Sequence, residues 1–215
     1  MQFEEFLSLV PKLEKIPLTG VQSHRKMAPL MRIKDLQRDL RHFPTARQAG
    51  VLCLCYPDAH QQTKIVLTLR HDYDGVHARQ VSFPGGKMEP DDAGQEHTSL
   101  RETEEEIGVP ATSVNLVRGL TEVFIPPSNF IVKPFLGYTN AEPFFRIQES
   151  EVADLVLVPL QHLLEESFVT TISLDTSYAK QIEVPAFHFN KHVVWGATAM
   201  MLAEIKDVIK MCCES

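Results

Sequence analysis

Four glutamates stand close together near the end of a predicted helix, in the segment Arg101-Glu102-Thr103-Glu104-Glu105-Glu106-Ile107-Gly108. At about 100° of rotation per residue, Glu102, Glu105 and Glu106 lie on one face of that helix, while the apolar residues point to another side. Like charges one turn apart repel each other, and the negative end of the helix dipole adds to the repulsion. Arg101 can pair with Glu105 one turn on, but one guanidinium cannot neutralise three acids. Because hard divalent cations prefer carboxylate oxygens, this face predicts a site for Mg²⁺ or Mn²⁺.

The helix alone has a simpler interpretation, which is a solvated acidic surface of the kind that most charge runs form. The loop before the helix favours a bound ligand instead. It runs from Ser82 to Asp92 and contains a tight Pro84-Gly85-Gly86 turn followed by an acidic stretch. Glycines let the backbone approach a ligand or a metal closely, so the turn and the acidic face predict one common site.

The glycine turn and the acidic helix together resemble the Nudix box, the loop–helix–loop signature of the Nudix hydrolases. The usual box reads Gly, five residues, Glu, seven residues, then Arg-Glu-apolar-x-Glu-Glu-x-Gly. In this chain Gly86 is followed after five residues by Asp92, eight residues separate Asp92 from Arg101, and Thr103 replaces the usual apolar residue. The residues that stay in register are Glu102, Glu105, Glu106 and Gly108.

The longer spacing is similar to that of the coenzyme A pyrophosphatase branch of the family. That branch also carries an upstream signature, which the segments 67–70 and 77–86 resemble, although the branch usually has Gly at the place of Arg79. The resemblance covers roughly residues 50 to 205. It implies a Nudix-type α/β/α sandwich with a mixed sheet and a loop–helix–loop catalytic motif.

The resemblance also implies roles for the acidic residues. Glu105 and Glu106 are expected to hold Mg²⁺ or Mn²⁺, assisted by the backbone carbonyl of Gly85. Glu102 is expected either to bridge a second metal ion or to accept the proton of the attacking water. The predicted catalytic residues are therefore Glu102, Glu105 and Arg101, and the predicted metal ligands are Glu102, Glu105, Glu106 and Gly85. Nudix enzymes often draw a further acid from a loop beyond the box, which Glu149 or Glu151 could supply.

The expected substrate is coenzyme A or acyl-CoA, cleaved at the diphosphate to 4′-phosphopantetheine, or its acyl form, and adenosine 3′,5′-bisphosphate. Such a substrate brings several phosphate charges to an acidic protein, so basic side chains must offset the repulsion. Arg70 ends a predicted strand just before the loop that leads to the box, which makes it the first candidate. The other candidate substrate-binding residues are His77, Arg79 and Lys87.

Three alternative functions stay open at this point. The substrate could be ADP-ribose, a dinucleotide or a nucleoside triphosphate, because the box performs diphosphate chemistry without defining what flanks the bond. The chain could be a Nudix-fold module that binds a ligand without catalysis, although such a module is expected to lose carboxylates from the helix. It could also be a diphosphate isomerase, which uses a Cys and a Glu as acid and base. Cys53 and Cys55 argue against this alternative, because they lie well before the box and have no matching acid nearby.

The elements that must position this site form two regions. The apolar residues from Phe3 to Val10 recur with helical spacing, and a second helical segment is predicted from Ile33 to Leu40. We assign residues 1–45 to an N-terminal helical extension and residues 46–215 to the Nudix hydrolase domain.

In the second region, short apolar runs separated by turn residues predict a sheet. The predicted strands are Val51 to Tyr56, Lys64 to Arg70, Gln80 to Phe83, Val114 to Val123, Phe130 to Tyr138, Leu155 to Val158 and Ile182 to Phe189. Two helices accompany them, from about His97 to Ile107 and from about Ala197 to Met211, and Gly108 followed by Pro110 is the stop signal for the first. A mixed sheet with helices on its faces, in the α/β (α+β) class, is the simplest architecture.

Bulk composition argues against several classes of protein. The 215 residues are 44% hydrophobic and 23% charged, which is ordinary for a globular domain. The net charge of −7 argues against a dedicated nucleic-acid binder. Because the sequence has no apolar run long enough to span a membrane, no secretory signal and no Ser-Lys-Leu ending, we expect a cytoplasmic location. The helical arm and the exposed edges of the sheet favour a homodimer.

Overall fold

The computed structural model of the protein describes residues 1–33, 36, 40, 43–71, 80–174 and 181–214. Most of the predicted helical segment from Ile33 to Leu40 lies outside these residues, as do His77 and Arg79. The α-helices are α1 (Phe3–Leu13), α2 (Val21–Lys26), α3 (Gln95–Ile107), α4 (Leu160–Leu164) and α5 (Gly196–Glu214). The strands are β1 (Arg47–Pro57), β2 (Thr63–Arg70), β3 (Val81–Ser82), β4 (Gly85–Lys87), β5 (Asn115–Gly119), β6 (Val123–Ile125), β7 (Phe130–Tyr138), β8 (Val152–Pro159), β9 (Val169–Leu174), β10 (Ile182–Phe189) and β11 (His192–Trp195).

Strand β1 lies at the centre of a mixed sheet. It pairs in parallel with β7 and antiparallel with β2 and β4. On one side β2 continues the sheet to β3 and β8, and on the other side β7 continues it to β5 and β6. Strands β9, β10 and β11 form a separate antiparallel sheet with β10 in the middle.

The alternating side chains of β1 contribute to two core layers. Leu52 and Leu54 pack with Ile107 of α3 on one face of the sheet. Cys53 and Cys55 point to the other face, where they join a cluster that includes residues of α1 and α5. Helices therefore cover both faces of a mixed sheet, which confirms the predicted α/β/α sandwich.

Helix α3 lies close against β1 because a glycine faces it. A Cβ atom on Gly50 would lie 1.9 Å from the carbonyl oxygen of Gln95, so a side chain at this position would push the helix away. The helix ends at the predicted stop signal, where Gly108 adopts a φ of +73° and its N–H donates to the carbonyl oxygen of Glu104 at 2.9 Å. This packing brings the C-terminal half of α3, with Glu102 and Glu106, beside β4.

The first two helices pack against the rest of the chain. Helix α1 buries Phe3, Phe6 and Leu13 in the same cluster as the apolar residues of α5. Helix α2 lies beside α5. The division into an extension of residues 1–45 and a domain of residues 46–215 stays a prediction.

Several strands differ from the sequence prediction. The single strand predicted from Val114 to Val123 is two strands, β5 and β6, which both pair with β7. The segment Gly85–Lys87, interpreted as part of a turn, forms strand β4, because backbone pairing of glycines leaves no side-chain pattern to read. Strand β9 is absent from the prediction because most of its side chains are exposed, so the alternation of apolar and polar residues is weak.

Candidate active site

Glu106 is a buried acid in the last turn of α3. Its residue surface is only 3% exposed, and its Oε2 accepts a hydrogen bond from the N–H of Gly85 at 3.0 Å. Burial raises the pKa of Glu106 to about 7, and the negative charges of Glu102 and Glu151 act in the same direction. The Gly85 N–H and the charge of Arg70 oppose this effect without cancelling it. The site therefore holds a carboxylate whose charge the protein stabilises incompletely.

Glu102 lies directly against the backbone of Gly86. A Cβ atom at Gly86 would lie 2.5 Å from the Oε2 atom and 2.6 Å from the Oε1 atom of Glu102, so the absent side chain leaves the space that the carboxylate occupies. Burial raises the pKa of Glu102, the adjacent Arg101 lowers it, and the charges of Glu105 and Glu151 raise it further. The pairing of Gly86 with Gly50 of β1 holds this turn in place.

Gly85 has a backbone conformation that favours glycine. Its φ is +143°, and a Cβ atom at this position would lie 2.4 Å from the carbonyl oxygen of Gly50. The preceding residue, Pro84, accepts a hydrogen bond from the N–H of Leu52 at 2.9 Å. These contacts hold the turn against β1, with the N–H of Gly85 donated to Glu106.

Asp92 ties the acidic loop to α3. Its carboxylate accepts hydrogen bonds from Nε and Nη2 of Arg101, both at 2.9 Å, and from Oγ1 of Thr98 at 2.9 Å. His97 Nδ1 lies 2.8 Å from the same carboxylate, whose side chain is 1% exposed. The guanidinium of Arg101 holds the pKa of Asp92 far below its usual range, despite burial. No role for Asp92 could be predicted from the residues alone, because only the folded loop brings these donors around it.

Arg101 links this anchor to the acidic face. Its third nitrogen, Nη1, lies 3.0 Å from Oε1 of Glu102 and 3.1 Å from Oε2 of Glu105. Glu105 is the more open of the two, with a side chain that is 51% exposed. Among the described residues, no three His, Cys, Asp or Glu side chains are arranged closely enough to hold a metal ion as they stand. Arg101, which the sequence placed among the catalytic residues, contacts three acids in this arrangement.

Glu104, the fourth glutamate of the run, faces away from this cluster. Its Oε2 accepts a hydrogen bond from the N–H of Ala111 at 2.9 Å, in the segment that follows α3. The run of acids therefore divides into a residue that caps a turn and three residues on the candidate site, as the helical spacing predicts.

The loop before β8 is attached to the end of α3 and carries a further acid. The N–H of Gln148 donates to the carbonyl oxygen of Glu106 at 2.9 Å, and the N–H of Glu151 donates back to the carbonyl oxygen of Gln148 at 3.0 Å. The negative charge of Glu151 acts on both Glu102 and Glu106. Glu149 and Glu151 were the two candidate loop acids. The charge of Glu151 raises the pKa values of Glu102 and Glu106.

The candidate substrate-binding bases occupy different positions. Arg70 lies at the end of β2, and its charge lowers the pKa of Glu106. Its Nε is buried and has no hydrogen-bond partner among the residues that the structure describes. Lys87 is exposed, and its carbonyl oxygen accepts a hydrogen bond from Nη2 of Arg101 at 3.3 Å. His77 and Arg79 lie outside the described residues.

These residues fit a hard divalent cation by the chemistry of their oxygen donors. Two observations favour such an ion. The buried Glu106 has a pKa raised to about 7, so a cation beside it would restore the charged form. The absence of a side chain at Gly86 leaves the carboxylate of Glu102 room against the turn.

Comparison with known proteins identifies the family. The NUDIX domain profile matches residues 46–173. The peroxisomal coenzyme A diphosphatase ndx-8 of Caenorhabditis elegans is 32% identical, over 79% of this chain and 74% of the relative. The uncharacterized Nudix hydrolase NudL of Yersinia pestis is 31% identical, over 78% of this chain and 82% of the relative.

The chain therefore belongs to the Nudix hydrolase family, whose members act on pyrophosphate bonds and generally need divalent metal ions. Its relatives support the coenzyme A pyrophosphatase branch. The solved Nudix hydrolase RenU of M. smegmatis covers 77% of this chain and 87% of its own, with a TM-score of 0.53 and 13% identity, and shows the same fold. Among the described residues, no helix combines the length and the hydrophobicity needed to cross a membrane.

Proposed function

We propose that the protein hydrolyses the diphosphate bond of coenzyme A or an acyl derivative, releasing 4′-phosphopantetheine, or its acyl form, and adenosine 3′,5′-bisphosphate. The observation that carries this proposal is the position of Glu102 and Glu106 against the Gly85-Gly86 turn, where the charge of Glu151 acts on both. The similarity to the coenzyme A diphosphatase ndx-8 supports this choice of substrate.

The proposed ligands of Mg²⁺ or Mn²⁺ are the side chains of Glu102, Glu105 and Glu106 and the backbone carbonyl of Gly85. When bound, the ion neutralises the negative charge that develops on the diphosphate oxygens as the bond breaks. Arg101 can release Glu102 and Glu105 to the ion without leaving its anchor, because only Nη1 contacts them while Nε and Nη2 hold Asp92. Arg101 is then a positioning residue.

Hydrolysis also requires a base that takes a proton from water. The water oxygen forms a bond to one phosphorus, the bridging P–O bond breaks, and the leaving phosphate keeps the electron pair of that bond. Glu151 is the proposed acceptor of the water proton, and Glu102 is the alternative acceptor if it does not serve as a metal ligand. Burial raises the pKa of Glu102, which makes it a stronger base than an exposed glutamate.

We assign binding of the substrate phosphates first to Arg70. Its buried Nε has a free donor among the described residues, and its charge already acts on the acidic cluster through Glu106. Lys87, on the strand that begins with the glycine turn, is a second proposed base. The upstream signature adds His77 and Arg79 to the proposal, although both lie outside the described residues.

A different diphosphate, such as ADP-ribose or a dinucleotide, is the alternative substrate. The isomerase alternative loses support, because Cys53 and Cys55 are buried on the face of β1 opposite α3. A cytoplasmic location and a homodimer stay predictions from the sequence, and the similar nematode protein is named peroxisomal. Fluorescence imaging of the tagged full chain tests the location, and light scattering tests the dimer.

The test of substrate is a product analysis. The purified protein is incubated with coenzyme A, acyl-CoA and a panel of other diphosphates in the presence of Mg²⁺ or Mn²⁺, and products are identified by mass spectrometry. We expect 4′-phosphopantetheine and adenosine 3′,5′-bisphosphate from wild type and little of either from Glu105→Gln. Cleavage of another diphosphate with coenzyme A intact would reject the substrate and direct attention to Arg79. Cleavage of nothing would favour a ligand-binding module.

A further inference from the structure

His71 stands next to the candidate site without any role in the proposed chemistry. It directly follows β2, and its Nε2 lies 2.7 Å from the carbonyl oxygen of Glu149. Because a carbonyl oxygen can only accept, the imidazole donates this hydrogen bond from Nε2–H. The bond connects the end of β2 to the loop that carries Glu151.

That loop is held at its two ends by backbone contacts. At the first end, the N–H of Gln148 donates to the carbonyl oxygen of Glu106 at 2.9 Å. At the second end, Val152 pairs with Arg70, and the register between β2 and β8 shifts just beyond this pair. The loop residues 149–151 span the gap between these two attachments, and within this span Glu149 receives the side-chain hydrogen bond of His71.

The loop needs a stabilising contact because it carries the negative charge of Glu151. Glu151 interacts repulsively with both Glu102 and Glu106, so its own electrostatics favour a loop position farther from the box. A hydrogen bond to the neighbouring carbonyl group opposes that movement without adding another charge to the cluster. Side chains that orient functional groups in this way commonly matter for activity although they do not touch the substrate.

We propose that His71 is a positioning residue, which holds the 148–152 loop so that the Glu151 carboxylate faces Glu102 and Glu106. This inference rests on the proposed hydrolase function and on the role of Glu151 in it. Glutamine can place its side-chain Nε2 near the position of the imidazole Nε2, so His71→Gln should keep the hydrogen bond that His71→Ala removes.

The test is a double-mutant cycle on whichever diphosphate the wild type cleaves. We expect His71→Ala to lower kcat about tenfold with KM changed less than about twofold, and His71→Gln to restore most of the rate. Glu151→Gln should lower kcat about 100-fold. In the Glu151→Gln background, His71→Ala should have no further effect, because a residue that acts through Glu151 has nothing left to position. Additive losses, or an unaffected Glu151→Gln enzyme, would overturn the proposal.

Hydrogen–deuterium exchange of the metal-free protein supplies a readout that is independent of activity. The amides of Glu151 and Val152 both donate to the carbonyl oxygen of Gln148. His71→Ala should speed their exchange, and His71→Gln should not. Unchanged exchange in His71→Ala would also overturn the proposal. His188→Ala, which removes an exposed histidine from β10, is the matched control. If the wild type cleaves no diphosphate, the hydrolase proposal fails, while exchange still tests whether His71 holds the loop.

Discussion

Glu106 and Glu204 are two buried glutamates, on two different helices, whose pKa values shift in opposite directions. Glu106 of α3 is 3% exposed and Glu204 of α5 is 0% exposed, so both have left water almost completely. Burial nevertheless raises the pKa of Glu106 to about 7, whereas the pKa of Glu204 is lowered despite burial. Their surroundings, not their burial, make the difference.

Glu204 is surrounded by donors. Its Oε1 accepts from the N–H of Gly20 at 3.0 Å and from Oγ1 of Thr121 at 2.6 Å. Its Oε2 accepts from the N–H of Thr121 at 3.1 Å and lies 3.3 Å from Nε2 of His24. These groups join α2 and the segment after β5 to α5. Glu204 therefore stabilises the fold, because every part of its charge has a protein partner.

Glu106 has the N–H of Gly85 and the charge of Arg70 in its favour, but it faces the carboxylates of Glu102 and Glu151. A protein that only needed stability would place donors there, as it does around Glu204. A buried acid with too few hydrogen-bond donors is therefore a place where a bound cation is expected, and four substitutions test this interpretation.

Glu106→Gln should cause the greatest loss of activity. The amide keeps the shape of the side chain and can still accept from the N–H of Gly85, but it cannot supply a charged oxygen to a metal ion. We expect turnover to fall about 1,000-fold, which corresponds to about 4 kcal/mol, with no loss of thermal stability in metal-free buffer. Steady-state kinetics and thermal unfolding measure both quantities. Glu104→Gln, on the same helix but facing Ala111, should retain the wild-type rate.

Glu204→Gln should show the reverse pattern. The amide places an N–H group where the carboxylate only accepts, so at least one buried donor of its network loses its partner. We expect the free energy of unfolding to fall by about 3 kcal/mol, with kcat per folded molecule unchanged. Urea unfolding measures the loss. Lys26→Ala, which removes an exposed ion pair with Asp207 between the same helices, should change stability by less than about 1 kcal/mol. A loss of kcat in folded Glu204→Gln would weaken the contrast.

Asp92→Asn tests the anchor that supports the acidic helix. The substitution removes the charge that Arg101 pairs with and one of its two acceptor oxygens, so we expect a loss of about 2 kcal/mol at pH 7. The folded-state pKa of Asp92 is below its unfolded value, so its charge stabilises the protein above about pH 4 and that contribution is lost as pH falls toward the folded-state pKa. The difference between wild type and variant should therefore be constant from about pH 5 to 7 and shrink in acid. Unfolding measured at several pH values checks this, and a difference that grows in acid would contradict it.

Gly86→Ala should have the smallest effect. Its new Cβ would overlap the Glu102 carboxylate, which is the mobile end of a long side chain and can move aside. We expect about a tenfold loss of turnover, or about 1.4 kcal/mol, and little change in stability. Gly119→Ala is the matched control, because its Cβ would lie 3.2 Å from the flexible Lys133 side chain and 3.4 Å from the ring of Phe135, away from the carboxylates of the site. Equal activity of both alanine variants would show that the space at Gly86 is not required.

The sequence predicted the acidic face and the central fold because both follow from local periodicity. The positions of Glu102, Glu105 and Glu106 on α3 follow from helical spacing, and the two sides of β1 follow from strand alternation. The sequence could not predict that Asp92 would bind Arg101 at two nitrogens, because the bend of the loop sets that contact. Nor could it distinguish Glu151 from Glu149, since the choice depends on how the loop meets the end of α3.

The hydrogen-bond partners of Glu204 could not be predicted from the sequence either. His24 and Glu204 are far apart along the chain, and neither belongs to a recognisable motif. Their pairing depends on the packing of α2 against α5, which local patterns do not encode. Local spacing thus predicted the acids for which we propose a metal ion, and tertiary packing provides the hydrogen-bond partners of Glu204.

The most direct test of this contrast is a titration of metal-free protein with Mn²⁺, followed by calorimetry and by thermal unfolding, for wild type, Glu106→Gln and Glu204→Gln. At a free Mn²⁺ concentration about 100 times the wild-type Kd, a single site should add about 2.7 kcal/mol of stability. We predict this increment for wild type and for Glu204→Gln, and a much smaller increment with weaker binding for Glu106→Gln. Equal binding and equal stabilisation of Glu106→Gln and wild type would contradict the claim that the buried acid of α3 holds the metal ion.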